Sequence, residues 1–171
     1  MLSSCQMLTV DLIHYGNFMS RNFPILMAED DEDDRLLAKE SFEEGRLLNP
    51  LITVDNGQQV IDYLDGKGEF SDRDRYPLPG LILLDLNMPI MDGREVLQHI
   101  KEHKEFRRIP VVILTTSSAE ADVLASYDLG AASFITKPVT FTGMVELMAS
   151  FGRYWVEIVE LPTKAQAKLG S

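Results

Sequence analysis

The chain has 171 residues, 45% of them hydrophobic and 25% charged, and its formal net charge is −11. This composition excludes a wholly disordered chain, and the length suits one domain with extensions. The acidic pI of about 4.6 argues against nucleic acid and anionic membrane surfaces as partners. The single cysteine, Cys5, excludes an internal disulfide, and no apolar run is long enough to span a membrane, so we expect a cytoplasmic protein.

The chain divides into three segments on its pattern of residues. Residues 1–24 read as an N-terminal extension without the basic start of a signal peptide, and residues 163–171 read as a short polar tail. Between them, residues 24–162 show regular hydrophobic patterning without an internal linker or repeat. We therefore expect one folded domain over 24–162.

Five short apolar runs predict buried strands, and each is followed by a segment with helical spacing. The predicted strands cover 24–28, 51–54, 81–84, 111–114 and 132–135. The predicted helices centre on 36–42, 60–64, 96–100 and 123–129, with a long last helix from about Thr140. A polar, proline-containing loop is expected over 71–80. Strands that alternate with helices predict an α/β fold with a parallel sheet covered on both faces.

Polar residues follow the predicted strands in turn. The first strand leads into Glu29 and Asp30, the third into Asp85, the fourth into Thr115, and the fifth into Lys137. Because open α/β sheets form their crevice at the carboxyl ends of the strands, these side chains should meet there. Three carboxylates so close together would repel one another unless a cation with a preference for oxygen ligands lay between them, and Mg²⁺ fits that description.

These motifs resemble those of two-component response-regulator receiver domains. The resemblance is carried by Glu29-Asp30, by Asp85 in LLDLNMPIMDG, by Thr115 in VVILTTS and by Lys137-Pro138. Four motifs in the family's order make the resemblance specific. It covers about residues 24–162, and it implies a flavodoxin-like, doubly wound five-stranded parallel sheet, (βα)5, with strand order 2-1-3-4-5.

The resemblance also implies a role for each matching residue. Asp85 would be the phosphoacceptor for a sensor histidine kinase. Glu29, Asp30, Asp85 and the backbone carbonyl of Asn87 would hold Mg²⁺. Lys137 and Thr115 would bind phosphoryl oxygens, together with the backbone N–H groups of Leu86 and Thr116.

Phosphorylation would draw Thr115 inward and couple this movement to the aromatic residue on the fifth strand, Phe134. The family often carries tyrosine at that position, so an output that needs the hydroxyl is in doubt here. Core packing of Phe134 is the competing interpretation.

Other functions are weaker readings of the same sequence. His99 to His103 matches the H-x-x-E-H pattern of some zinc peptidases, but no third ligand is evident. A haloacid-dehalogenase-like phosphatase would need an acid where Asn87 stands. A degenerate receiver that acts as a constitutive binding module is the remaining alternative. Charge runs such as 29–34 are ordinarily solvated helix ends, and this reading suits Asp33 and Asp34.

The C-terminal part of the sequence bears on how the protein would pass its signal to a partner. Few residues follow Lys137, so we expect a stand-alone receiver that is not an enzyme beyond its own phosphorylation and dephosphorylation. The last helix shows one long apolar stripe with the spacing of a buried face, formed by Phe141, Met144, Val145, Met148, Phe151, Trp155, Ile158 and Val159. Leu147, Tyr154 and Leu161 form a second stripe, which favours homodimerisation or partner docking. The whole pattern is similar to the small response regulators of phytochrome-type sensor kinases, which implies a bacterial source and a kinase of that type as partner.

Overall fold

The computed structural model describes residues 22–116 and 118–158, so most of the predicted extension and all of the predicted tail lie outside these ranges. Strands and α-helices alternate along the described chain: β1 (Ile25–Ala28), α1 (Glu32–Glu44), β2 (Leu51–Val54), α2 (Gly57–Asp65), β3 (Leu81–Leu84), α3 (Gly93–Glu102), β4 (Val111–Thr115), α4 (Glu120–Asp128), β5 (Ser133–Thr136) and α5 (Phe141–Phe151). Short 3-10 helices lie at Gly68–Phe70 and Phe106–Arg108, and a π-helical segment, Gly152–Ile158, continues α5.

The strands form one parallel sheet in the order β2-β1-β3-β4-β5. This confirms the predicted flavodoxin-like fold and its strand order. The order reverses between β1 and β3, which is the switch point where doubly wound sheets open their crevice. The central strands are buried on both sides, as their continuous apolar sequences predict.

Helices cover both faces of the sheet and create two separate cores. One core lies between the sheet and α2 and α3, and it includes Leu26, Leu84, Val60, Leu97 and Ile113. The other lies between the sheet and α1 and α5, and it includes Met27, Leu83, Phe42, Met148 and Trp155. Alternate residues of each strand therefore belong to opposite cores, which fixes the direction in which the strand ends point.

Side chains at the start of the helices define where the strand-to-helix loops stop. Asp31 caps α1 by accepting from the N–H groups of Asp33 and Asp34, and Asn56 caps α2. Asp92 and Glu95 form a capping box at α3, and Thr140 caps α5. These caps mark where the loops that follow β1, β2, β3 and β5 end, and the loop after β3, residues 85–91, is the longest of the four.

The structure corrects some details of the sequence prediction. β5 is shifted by one residue from the predicted 132–135. In α5 and the π-helical segment that continues it, Met144, Met148, Phe151 and Trp155 are buried as expected, but Phe141 is exposed. Leu147, assigned by its spacing to a second surface stripe, is partly buried against the α1–α5 core. Tyr154 is exposed as that stripe requires, and Leu161 lies outside the described residues. Within the described part, no helix is long and apolar enough to cross a membrane.

Candidate functional site

The carboxyl ends of four neighbouring strands bring the predicted polar residues together. Glu29 directly follows β1, Asp85 directly follows β3, Thr115 ends β4, and Lys137 directly follows β5. All four are buried, with at most 7% of each residue exposed, whereas Asp30 is exposed. A buried charged residue requires a partner, and Lys137 is the common partner of the buried carboxylates of Glu29 and Asp85.

Three carboxylates at this edge of the sheet are close enough to share one cation. Oxygen atoms of Glu29, Asp30 and Asp85 all lie within 4.8 Å of one another. Hard carboxylate oxygens are the donors that Mg²⁺ and related divalent cations prefer. The donor set therefore fits a divalent metal ion, and the exposed Asp30 leaves the site open on its solvent side.

Lys137 lies at the centre of the site. Its Nζ donates hydrogen bonds to Asp85 Oδ2 and to Asp34 Oδ2, each at 2.9 Å, and also to Glu29 Oε2. The Lys137 side chain is only 4% exposed. Burial alone would lower the pKa of Lys137, but the hydrogen bonds to Glu29, Asp34 and Asp85 outweigh burial and raise it. Lys137 therefore remains an ammonium ion throughout the physiological range.

Glu29 has the perturbed carboxyl group of the site. Burial raises its pKa to about 7, while the hydrogen bond and charge of Lys137 and the N–H of Asp31 offset part of that shift. A carboxyl group with a pKa near 7 changes its charge within the physiological range. The local charge of the site consequently depends on pH through Glu29.

The loop after β3 folds back onto Asp85. The N–H of Asn87 donates to Asp85 Oδ1 at 3.2 Å, and the N–H of Gly93 donates to the carbonyl of Leu86 at 2.9 Å. Leu86 is fully buried, which anchors the loop in the α2–α3 core. The Asp85 carboxylate is thus held by Asn87 on one oxygen and by Lys137 on the other.

The loop between β1 and α1 is held from the helix side. Arg35 Nη1 donates to the backbone carbonyls of Glu29 at 2.7 Å and Asp30 at 2.9 Å. The N–H of Asp31 donates to Glu29 Oε1 at 3.1 Å. These bonds orient the two successive acidic residues, one inward and one toward solvent.

The predicted switch residues occupy the side of the site nearest β5. Thr115 is fully buried, and its carbonyl accepts from the N–H of Lys137 at 2.8 Å. Thr116 is exposed immediately beyond it. Phe134 on β5 is partly buried and packs against the α2–α3 core. The structure therefore supports the packing of Phe134, while its part in a switch stays a prediction.

Asp34 is a member of the site that was not predicted from the sequence. Its place in a run of acidic residues favoured a solvated position at the start of α1, but the Asp34 carboxylate accepts a hydrogen bond from Lys137. The sequence carried no signal for this contact, because the direction of an acidic side chain in the first turn of α1 depends on the angle at which the helix leaves its cap. Asp33 does lie exposed, as expected.

Within residues 22–116 and 118–158, the two histidines of the H-x-x-E-H pattern belong to no group of three metal-ligating residues. The His103 ring stacks on Phe106 with 3.9 Å between ring centroids, and the His99 ring lies 6.4 Å from that of His103. Among the residues that the structure describes, Glu29, Asp30 and Asp85 form the one group of three or more residues able to hold a metal ion. The described geometry thus favours the strand-end crevice over a zinc-peptidase site.

Comparison with known proteins identifies the class to which this fold and site belong. A family model for the response regulator receiver domain matches residues 25–149. The chain belongs to the response regulator receiver family.

Individual relatives narrow the position within that family. The response regulator Rcp1 from Synechocystis sp. is 39% identical over 138 residues, which is 81% of this chain and 92% of Rcp1. The crystal structure of the phosphorylated cyanobacterial phytochrome response regulator RcpA shares 35% identity and superposes with a TM-score of 0.77 over 83% of this chain and 99% of RcpA. The bacteriophytochrome response regulator RtBRR shares 40% identity with a TM-score of 0.66, over 85% of this chain and 87% of RtBRR. The receiver domain described here is therefore related to the phytochrome response regulators.

Proposed function

We propose that this protein is a phosphoacceptor that receives a phosphoryl group on Asp85 from a sensor histidine kinase. The observation that carries the proposal is the buried contact between the Asp85 carboxylate and Lys137, beside two further carboxylates that fit a divalent cation. Relatives support the same reading, since one is a phosphorylated phytochrome response regulator. A phytochrome-type sensor kinase is accordingly the proposed partner.

In the proposed reaction, an Asp85 oxygen attacks the phosphorus of a phosphohistidine on the kinase. A bond forms between that oxygen and phosphorus, the bond from phosphorus to the histidine nitrogen breaks, and the imidazole leaves with its electron pair. Phosphoryl transfer demands little covalent chemistry of the acceptor, so position and charge dominate. The hydrogen bond from the Asn87 N–H fixes the Asp85 carboxylate for this attack.

Mg²⁺ is the proposed cofactor, held by Glu29, Asp30, Asp85 and the backbone carbonyl of Asn87, and it would neutralise charge on the phosphoryl oxygens. A structure of Rcp1 in its Mn²⁺-bound form supports a divalent cation in this family. Lys137 would bind one phosphoryl oxygen through its ammonium group, and Thr115 would donate its hydroxyl to another. The N–H groups of Leu86 and Thr116 complete the proposed cradle.

Output is proposed to follow from movement of Thr115, coupled to Phe134 on β5. Exposed apolar side chains lie at the start of the last helix and in its continuation, namely Val139, Phe141 and Tyr154. They support the proposal that the last helix mediates homodimerisation or partner docking. Water attack on the Asp85 phosphoryl group, within the same site, would end the signal without a separate enzyme.

Intact-mass measurement with acetyl phosphate and Mg²⁺ tests the proposal. We expect an acid-stable adduct of one phosphoryl group that requires Mg²⁺ and is absent from Asp85→Asn. Asp128→Asn provides the matched control, because Asp128 is exposed at the end of α4. Light scattering on the same samples reports whether phosphorylation changes the oligomeric state.

Equal labelling of Asp85→Asn and the wild type would refute Asp85 as the acceptor. A properly folded wild type that takes no phosphoryl group from acetyl phosphate or from a kinase would identify a degenerate receiver, used as a constitutive binding module.

A further inference from the structure

Asp34 contacts Lys137 from outside the set of strand-end residues. It lies in the first turn of α1, and its Oδ2 is 2.9 Å from Lys137 Nζ, the same distance as Asp85 Oδ2. With Glu29 as the third partner, the ammonium donates to three carboxylates. A lysine ammonium has three N–H donors, so every donor of Lys137 is in use.

Phosphorylation changes this balance. If the proposed function holds, phosphorylation adds to Asp85 a group whose charged oxygens compete with the other two acceptors, Glu29 and Asp34, for the N–H groups of Lys137. The Glu29 and Asp85 side chains are 1% and 7% exposed, whereas the Asp34 side chain is 35% exposed. A buried carboxylate that loses its donor stays desolvated, but a partly exposed one turns to water. Asp34 is therefore the acceptor that is released at the lowest cost.

We propose that Asp34 is a positioning residue that competes with the phosphoryl group for Lys137, so that phosphorylation of Asp85 releases Asp34 from Lys137. In the unphosphorylated protein, Asp34 holds the ammonium group beside Asp85. Release frees a carboxylate in the first turn of α1, next to the cap at Asp31 and the Arg35 clamp on the β1–α1 loop. The state of the buried site is thereby transmitted to the exposed start of α1.

The test compares Asp34→Asn with Asp33→Asn in the full chain. The two substitutions remove the same charge from the same helical turn, but Asp33 is exposed and has no hydrogen bond from Lys137 among the described contacts. Beryllofluoride, which mimics an aspartyl phosphoryl group, is titrated calorimetrically at saturating Mg²⁺. We expect Asp34→Asn to bind it roughly three- to tenfold more tightly than the wild type, as for removal of one partly exposed charge-assisted competitor, and Asp33→Asn to bind it as the wild type does.

A second readout follows Asp34 itself. The carboxyl carbon resonance of Asp34, measured by NMR in the wild type, should move toward that of a solvated aspartate when beryllofluoride is added at constant Mg²⁺. A purely structural role for Asp34 would lower stability without producing this change. An unmoved resonance, or equal affinities in Asp34→Asn and the wild type, would overturn the role of Asp34 while leaving the phosphoacceptor assignment standing.

An equal gain of affinity in Asp33→Asn would also overturn it, because a general charge effect would then suffice. A wild type that binds no beryllofluoride would refute the proposed function, and the role of Asp34 with it.

Discussion

Gly93 lies against the backbone of Asp85 so closely that a Cβ atom on Gly93 would collide with the Asp85 carbonyl oxygen. The same Cβ would come within 2.8 Å of the Cα of Leu86. Gly93 is the first residue of α3, and its N–H donates to the Leu86 carbonyl at 2.9 Å. The start of α3 therefore packs directly on the end of β3 and fixes the loop that carries the candidate phosphoacceptor.

Gly93→Ala should consequently destabilise the protein. The obstacle is backbone rather than a movable side chain, so we expect a loss of about 2–3 kcal/mol in the free energy of unfolding, the upper part of the range for overpacking. Urea denaturation measures it. Gly45→Ala is the comparator, because a Cβ atom on Gly45 would lie 3.0 Å from its nearest neighbour, the Ser41 carbonyl oxygen, and this contact requires only a small shift. Equal losses in the two variants would contradict this role of Gly93.

The loop over 71–80 is anchored by Arg73. Its Nη1 donates to the carbonyls of Tyr63 at 2.7 Å and Tyr76 at 3.2 Å, and its Nη2 donates to the carbonyl of Leu64. The Tyr63 hydroxyl donates to the Pro77 carbonyl at 2.8 Å, and burial raises the pKa of Tyr63 to about 12. Arg73 thus satisfies the Leu64 carbonyl at the end of α2 and is a second donor to the Tyr63 carbonyl, which also accepts from the N–H of Gly66.

Arg73→Ala should lower the free energy of unfolding by about 2 kcal/mol, since it removes charge-assisted hydrogen bonds from partly buried carbonyls. Amide hydrogen exchange should accelerate over 71–80 and at the end of α2. Arg75→Ala removes the same charge from the same loop but loses only the contact of Arg75 with the Tyr76 ring, 5.2 Å to its centroid. Its stability should stay close to that of the wild type, and a loss as large as that of Arg73→Ala would refute the anchoring role.

The sequence contained enough to predict the fold because each central strand is buried on both sides. Continuous apolar runs such as 81–84 and 111–114 favour strands over helices because they are short and follow Gly80 and Pro110. Helix faces were harder, because the spacing of Leu147 fits a surface stripe as well as the margin of a wide core face. Only the position of α1 beside α5 decides between them, and that is a tertiary property.

The site was predictable to the extent that its members follow strands. Glu29, Asp85, Thr115 and Lys137 end or follow adjacent parallel strands, and topology alone brings them together. Asp34 reaches the site from a helix, so its contact depends on the angle at which α1 leaves its cap. The anchoring of 71–80 by Arg73 likewise depends on where α2 ends, which a polar, proline-containing sequence does not reveal.

The raised pKa of Glu29, about 7, predicts a pH dependence of metal binding. A carboxyl group must lose its proton to bind Mg²⁺, so protonation of Glu29 competes with the metal below pH 7. If one proton is displaced, the affinity for Mg²⁺ should fall about tenfold from pH 8 to pH 6. Calorimetric titration of Mg²⁺ at both values, in buffers of different ionisation enthalpy, measures the affinity and the proton release.

The free energy of unfolding should also depend on the ionisation of Glu29, and the raised pKa fixes the direction of the effect. The folded-state pKa of Glu29 lies above the ordinary value of 4.5 for a glutamate, so the contribution of Glu29 to stability is full below about pH 4.5 and is lost as the pH rises through about 7. Glu29→Gln removes both effects. The free energy of unfolding of the wild type should therefore fall relative to that of Glu29→Gln as the pH rises over that interval. For the metal, an affinity for Mg²⁺ that stays the same from pH 8 to pH 6 in the wild type would contradict the view that Glu29 is a metal ligand with a pKa of about 7.

Lys137→Ala should separate the structural role of the ammonium from metal binding. Without Lys137, the buried carboxylates of Glu29 and Asp85 lose their common counter-ion, so the metal-free variant should be about 3 kcal/mol less stable than the wild type. The variant should still bind Mg²⁺, because none of the proposed ligands is removed and a competing cation has left. Since a ligand stabilises the state to which it binds, millimolar Mg²⁺ should raise the melting temperature of Lys137→Ala more than that of the wild type.

Lys104→Ala, at an exposed lysine, should match the wild type with and without Mg²⁺. Loss of Mg²⁺ binding in Lys137→Ala would instead mean that the ammonium orders the metal ligands, and would overturn the view of it as their counter-ion.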